Sequence, residues 1–362
     1  MAPIQNFTPF SVLLLLSISP FFTFIKQPSI HAKEQHPVKA LVAPIYKSNT
    51  SIYTISLKIN DANPNQQFLI DLSSTFLSFP CCPYSNPKKV QTSVTINSTD
   101  GKNPTGDVTV QNLKTSCNAT SVASLARSPH SLSSQLISRL SMKKQFGICM
   151  PDSYSKQGEI FFGSEPYYTM FPYSVDLSTV ITYIPLIKRP QNPSYMITLT
   201  GLVVNHTQIL SFNSGTTALI STTDPYTKLR SDIYHSFIDA FNKESAGYAR
   251  VASVKPFEIC FNKSAVPFSR VGYYVPQIDL MLDEGKEWSI FGSNSMVQSG
   301  EEALCLGFVD GGMNMEHGMV IGGFQIENNF LLFDKDKSRL GFSSTLLFMR
   351  VMCSAFNFTS SN

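Results

Sequence analysis

Charge is scarce in this sequence. Lys and Arg number 28, Asp and Glu 25, so 15% of the 362 residues are charged and the net is +3. The only dense basic pairs are Lys88–Lys89 and Lys143–Lys144, neither with an aromatic stacking platform beside it. That argues against a nucleic-acid partner. Histidine is equally thin: His31, His36, His130, His206, His235 and His317 are scattered, without an HExxH motif or an i, i+4 pair. With cysteine spacings that fit no zinc pattern, neither a metal nor another cofactor is expected. No low-complexity tract or flexible linker divides the chain. Past the N-terminus, no segment reaches the roughly 20 clean apolar residues of a membrane span.

The exception to that last absence is the N-terminus itself. Residues 9–25 (PFSVLLLLSISPFFTFI) are apolar but broken by Pro20, and Ala32 offers a small residue for cleavage. Residues 1–32 therefore read as a secretory signal, although no Lys or Arg precedes the apolar run. Six Asn-x-Ser/Thr sequons follow, at Asn49, Asn97, Asn118, Asn205, Asn262 and Asn357, as a secreted, glycosylated chain would carry. Cys81, Cys82, Cys117, Cys149, Cys260, Cys305 and Cys353 fit an oxidising compartment, and their odd number leaves one thiol unpaired or bridged to another chain. The expected location is extracellular, with no membrane association once the signal is removed.

At 43% hydrophobic the chain can bury a large core. Most of it reads as short strands punctuated by Gly, Pro, Asn and Ser, among them residues 51–59, 92–97, 107–112, 159–162 and 195–204. Two segments read as helices: 131–140, and 225–241 with Asp224 as N-cap and Pro225 at the first helical position. The pattern restarts near residues 177–187, which predicts an N-terminal lobe over 33–178 and a C-terminal lobe over 179–362 in an all-β, mainly antiparallel fold.

Two segments, 68–79 (FLIDLSSTFLSF) and 209–220 (ILSFNSGTTALI), each break an apolar run with a polar turn and then resume it. A repeat about 140 residues apart is how a bilobal aspartic protease brings two carboxylates to one cleft. There the carboxylates share one proton, because like charges in proximity split their pKa values. Here the first segment holds Asp71 and the second Asn213, and an amide neither gives nor takes a proton at ordinary pH.

Longer motifs specify a family. YIPL at 183–186 with YMITLTGL at 195–202 resembles the strand pair opening the C-terminal lobe of plant pepsin-like proteins. VIGG at 320–323, FD at 333–334 and RLGF at 339–342 resemble the pepsin-fold ending. WSIFGSNSMV at 288–297, CLGFVDGG at 305–312, RVASVKPFEIC at 250–260 and CSAFNFT at 353–359 are similar to the basic 7S globulin, extracellular dermal glycoprotein and xylanase-inhibitor group. The resemblance covers nearly all of residues 39–362 and implies the bilobal pepsin-like β fold. It also implies bridges Cys260–Cys305 and Cys149–Cys353, and it sets Tyr226 inside the helix that follows the second turn.

The N-terminal half departs from that pattern. A cysteine-rich insertion and one flap strand are missing between Cys82 and Val90, and a second segment is shortened after Cys117, which should leave a strand edge exposed. Ser73 replaces the Gly of the Asp-Thr-Gly turn, Leu72 its hydroxyl residue, and Ser78 a Trp; no flap tyrosine remains. The resemblance thus implies a non-catalytic relative that binds a protein. Members of the group inhibit glycoside hydrolases by placing a side chain between the paired carboxylates of the target cleft, a role that suits arginine. Arg270 and Arg350 occupy the matching positions, and PheMetArg rather than a histidine at 348–350 favours an endoglucanase over a xylanase target. The alternatives are residual aspartic endopeptidase activity and a storage or peptide-binding role.

Overall fold

The computed structural model describes residues 37–60, 64–80, 90–169 and 174–358. The predicted signal segment lies outside them, as do Cys81 and Cys82.

Period-two alternation sets the first strands. In β2 (Tyr53–Ile59) every odd-numbered residue is buried, and β2 pairs antiparallel with β1 (Ala40–Lys47) and β3 (Gln66–Asp71). β4 (Leu77–Phe79), β5 (Val90–Thr99), β6 (Pro104–Cys117) and β7 (Val122–Ser124) follow. Next come helix α1 (Leu132–Arg139), β8 (Gln145–Cys149) and β9 (Gln157–Gly163). The second half holds β10 (Thr182–Pro185), β11 (Asn192–Val204), β12 (Thr207–Ile220), β13 (Thr227–Leu229), α2 (Ser231–Glu244), β14 (Ile278–Leu282), β15 (Glu287–Ile290), β16 (Phe308–Asp310), β17 (Met319–Ile321), β18 (Phe330–Asp334) and β19 (Arg339–Phe342).

Among the described residues one sheet runs β10-β19-β18-β8-β9-β1-β2-β3-β7-β4-β6-β5, and a second runs β15-β14-β11-β12-β17-β13-β16. Strands from both ends of the sequence meet in the first sheet. There Phe146 stacks on Phe333 at 4.7 Å, with Tyr195 at 4.5 Å from Phe333. The Tyr195 hydroxyl donates to the Leu125 carbonyl at 2.9 Å, so its buried polar end is satisfied. Disulfides Cys149–Cys353 and Cys260–Cys305 are formed, and Cys117 is also disulfide-bonded.

Among the described residues, the open edge expected from the shortened first half is not found. β5 pairs with β6 along its length, and its other side pairs with β1 (Leu41↔Ser98) and β2 (Lys58↔Thr95), so the sheet closes on itself as a barrel. Closure satisfies the backbone groups that a lost strand would have left unpaired.

The second helix also differs from expectation. α2 begins at Ser231, six residues beyond Pro225, and Arg230 rather than Asp224 is its N-cap residue. The intervening Thr227–Leu229 is drawn into the sheet, antiparallel to β17 and parallel to β16. Strand pairing overrides the local capping signal, and Tyr226 accordingly lies in the bend before β13 rather than in a helix.

Glu159, in β9, is fully buried, and neither carboxylate oxygen finds a hydrogen-bond partner among the described residues. Burial holds its pKa well above the ordinary carboxylate value. The folded protein keeps this group protonated where the unfolded chain ionises, so stability is lost as pH rises above about 4.3, by up to about 1.4 kcal/mol per pH unit. Glu159→Gln is expected to be more stable than the parent at pH 7 and nearly equal to it at pH 4. Urea unfolding at the two pH values measures this, and an equal difference at both would contradict it.

Candidate functional site

Each half of the molecule contains the same four-strand arrangement. In the first, β3 runs parallel to β7 (Leu69↔Val122, Asp71↔Ser124), β7 pairs antiparallel with β4 (Ser78↔Val122), and β4 runs parallel to β6. In the second, β12 runs parallel to β17 (Leu219↔Val320, Ile220↔Ile321), β17 pairs antiparallel with β13 (Lys228↔Val320), and β13 runs parallel to β16. Matching Val122 to Val320 aligns Leu69-Ile70-Asp71 with Leu219-Ile220-Ser221. The residue opposite Asp71 in this internal symmetry is therefore Ser221.

Hydrogen bonding gives the same register independently. Asp71 Oδ1 accepts from the backbone N–H groups of Ser73 (2.7 Å) and Ser74 (3.1 Å). Ser221 Oγ accepts from those of Thr223 (3.3 Å) and Asp224 (3.1 Å), again two and three residues on. A hydroxyl thus takes the place of a carboxylate while the turn around it is preserved.

Asn213 is not at this position. It is exposed, in a stretch of β12 where the register to β11 shifts between Gly201↔Ser211 and Leu199↔Thr216, and Gly215 takes the left-handed φ of +67° that the irregularity requires. The Asn-Ser-Gly sequence is a bulge in a long bent strand, and it imitates an active-site turn. The signal that locates the true position is the Leu-Ile dipeptide, repeated at 69–70 and 219–220 ahead of Asp71 and Ser221.

Thr222 Oγ1 donates at 2.7 Å to the carbonyl of Ile70, so the two turns are joined directly beside Asp71 and Ser221. By the same symmetry Thr222 corresponds to Leu72, which is buried and has no hydroxyl to return that bond. Ser73 and Thr223 occupy the third position of the two turns, where a protease has glycine. One carboxylate and one hydroxyl cannot share a proton as two carboxylates do. Another acid does lie close: Asp224 Oδ2 accepts from Ser221 Oγ at 2.7 Å, but its second oxygen is ion-paired with Lys228, which engages it beside its own turn. Ser78, at the position of the group's tryptophan, donates to the Thr120 carbonyl at 3.3 Å.

A buried cluster lies where the second turn approaches β1 and β2. The Tyr53 hydroxyl donates to Glu327, which also pairs with Lys47. Burial pushes the Glu327 carboxyl up to about 7, against the opposing pull of Lys47. Tyr226 packs edge-on against Phe257 at 4.8 Å.

The remaining sequence-predicted residues lie elsewhere. Arg270 and Arg350 are both exposed, and neither forms an ion pair among the described residues. Their loops flank one cavity of about 450 Å³, whose lining includes Ser269, Val271 and Phe348. Of the sequons, Asn49, Asn118, Asn205 and Asn357 are exposed. Asn97 is half-buried between paired strands, and the Asn262 side chain accepts from its own sequon residue Ser264.

Family models described as xylanase inhibitor N-terminal and xylanase inhibitor C-terminal match residues 84–164 and 194–344. A protein named probable aspartic proteinase GIP2, from Nicotiana benthamiana, is 38% identical over 298 residues, which cover 74% of this chain and 68% of that protein. The chain belongs to the xylanase-inhibitor family of pepsin-fold proteins. Gamma conglutin 1 of Prunus dulcis is 39% identical over 283 residues, 74% of this chain and 65% of that protein, so the chain spans about two thirds of the length of such relatives. Among solved structures, EDGP superposes with a TM-score of 0.83 at 30% identity, over 90% of this chain and 99% of that one. Soybean basic 7S globulin gives 0.75 at 26% identity, over 89% and 100%. The aspartic proteinase of Irpex lacteus, at 14% identity, 0.60, and 88% and 100% coverage, shows the fold alone. Within the family fold, this chain carries Asp71 and Ser221 at the paired turns.

Proposed function

We propose that this protein is a secreted, glycosylated pepsin-fold protein that has lost proteolysis and binds another protein, a cell-wall-degrading glycoside hydrolase of the endoglucanase type. The observation that carries the reading is the surface around Arg270 and Arg350. Two unpaired arginines there adjoin Phe268, Tyr274 and Phe348, which are 73%, 69% and 50% exposed. Large exposed aromatics beside arginine have the composition of binding hot spots. An arginine entering a glycosidase cleft meets the paired carboxylates that the reaction requires and can bind one of them bidentately. The replaced acid at Ser221 supports binding without cleavage. Secretion rests on the N-terminal segment and the exposed sequons, and no helix among the described residues is long and apolar enough to cross a membrane.

Inhibition of a secreted endoglucanase by the purified protein tests the reading. Arg270→Ala or Arg350→Ala should weaken inhibition by about tenfold or more, as loss of a charge-assisted hydrogen bond would. Phe268→Ala should also weaken it. Full inhibition by the double arginine variant would place the contact elsewhere on the molecule, and no inhibition by the parent protein would remove the proposed target.

A further inference from the structure

A second cavity lies on another face of the molecule, beside α1. It measures about 510 Å³, within the range of small-molecule sites. Pro129, Ile137 and Met142 form its apolar wall, and Lys335 and Lys144 also line it. Lys335 has an unusual set of neighbours for a lysine. Its ammonium donates to Ser134 Oγ at 2.6 Å and Ser133 Oγ at 3.2 Å, both in the first turn of α1, and forms no ion pair among the described residues. That turn holds no acidic residue, so the positive end of the helix faces a positive side chain.

Arg127 does not line this cavity, but it adds positive charge near Lys335. Its guanidinium donates to the carbonyls of Ile187 and Ser194, both at 2.6 Å, and lies over the Tyr195 ring at 5.5 Å, while its buried Nη1 has no hydrogen-bond partner among the described residues. Asp334 is paired with Arg339 at 3.0 Å, and Asp336 pairs with the cavity's other lysine, Lys144, at 3.6 Å, so Lys335 is the lining lysine left without a carboxylate among the described residues. Burial, with Arg127 adding to it, lowers the Lys335 pKa to about 8. A half-buried lysine with hydroxyl partners but no carboxylate, beside an apolar wall, is better compensated when an anion fills the cavity.

We propose that this cavity binds a small organic acid, with the carboxylate on Lys335 and an apolar body against Pro129, Ile137 and Met142. The apolar part of the lining favours an acid with an apolar body over a bare inorganic anion, and Lys335 favours the acid over its uncharged match.

Isothermal titration of the full protein with 3-phenylpropionate, and with 3-phenylpropionamide as the uncharged match, tests this. The acid should bind saturably and the amide about tenfold more weakly or less. Lys335→Met should weaken the acid by about tenfold or more, and Ile137→Trp, which fills the cavity and leaves Lys335 in place, should abolish its binding. If circular dichroism shows that Lys335→Met fails to fold, Ile137→Trp decides alone. No saturable binding of the acid, equal binding of acid and amide, or unchanged binding in Ile137→Trp would each overturn the proposal.

Discussion

Incubated in acid with an unfolded protein substrate, this protein is expected to release no peptide above the blank, with or without pepstatin, and Ser221→Asp is expected to leave that result unchanged. General acid–base assistance contributes roughly 10²–10⁴-fold for each positioned group, so exchanging one carboxylate for a hydroxyl removes most of the rate. Restoring the acid alone is insufficient because the second turn's partner has also changed. Thr222 bonds across to the Ile70 carbonyl, but Leu72 cannot reciprocate. Ser73 and Thr223 place side chains where glycine admits close approach, and only residues 80–89 connect β4 to β5, where the group has a flap strand. Pepstatin-sensitive hydrolysis by the parent that vanishes in Asp71→Ala would overturn this reading. Hydrolysis gained in Ser221→Asp would show that the rest of the apparatus is intact.

Removing the Cys149–Cys353 bridge is expected to have the largest effect on stability. The bridge closes a loop of 204 residues, for which the chain-entropy estimate is about 5 kcal/mol, against about 4 kcal/mol for Cys260–Cys305 and its separation of 45. A domain of ordinary stability has only about 5–15 kcal/mol in total. The bridge also fixes the C-terminal segment, where Phe356 packs edge-on against Phe161 at 5.4 Å. The double variant Cys149→Ala with Cys353→Ala, which leaves no lone thiol at the site, should lose about 5 kcal/mol in urea unfolding. A loss below about 1 kcal/mol would mean that the unfolded chain is already compact around this loop.

Much of the fold is legible in the sequence because its strands are short alternating or apolar runs bounded by turn residues. Residues 53–59 of the predicted 51–59 strand, and all of 159–162 and 195–204, fall within observed strands, and α1 starts beside Ser131, whose hydroxyl caps it. The region around the second turn is less legible. Asp224-Pro225 carries a helix-start signal, yet β17 and β16 claim the following residues as a strand, and no local pattern reports a partner some 90 residues away. The same limitation explains Asn213. A bulge and an active-site turn both need a small polar residue followed by glycine, and only the pairing of Leu219-Ile220 with Val320-Ile321 separates them. Asn213 lies outside the paired turns, and the group that the internal symmetry sets against Asp71 is a serine already committed to its own turn. The barrel closure by β5 was equally invisible, since it depends on contacts with β1 and β2 rather than on the shortened segment itself.

Binding without cleavage is the centre of this account, and native mass spectrometry of the purified protein mixed with a secreted endoglucanase tests it most directly. The predicted result is one species at the summed mass of the two proteins, both chains intact after prolonged incubation in acid. Fragments of the hydrolase, or the two masses remaining separate at every concentration, would contradict it.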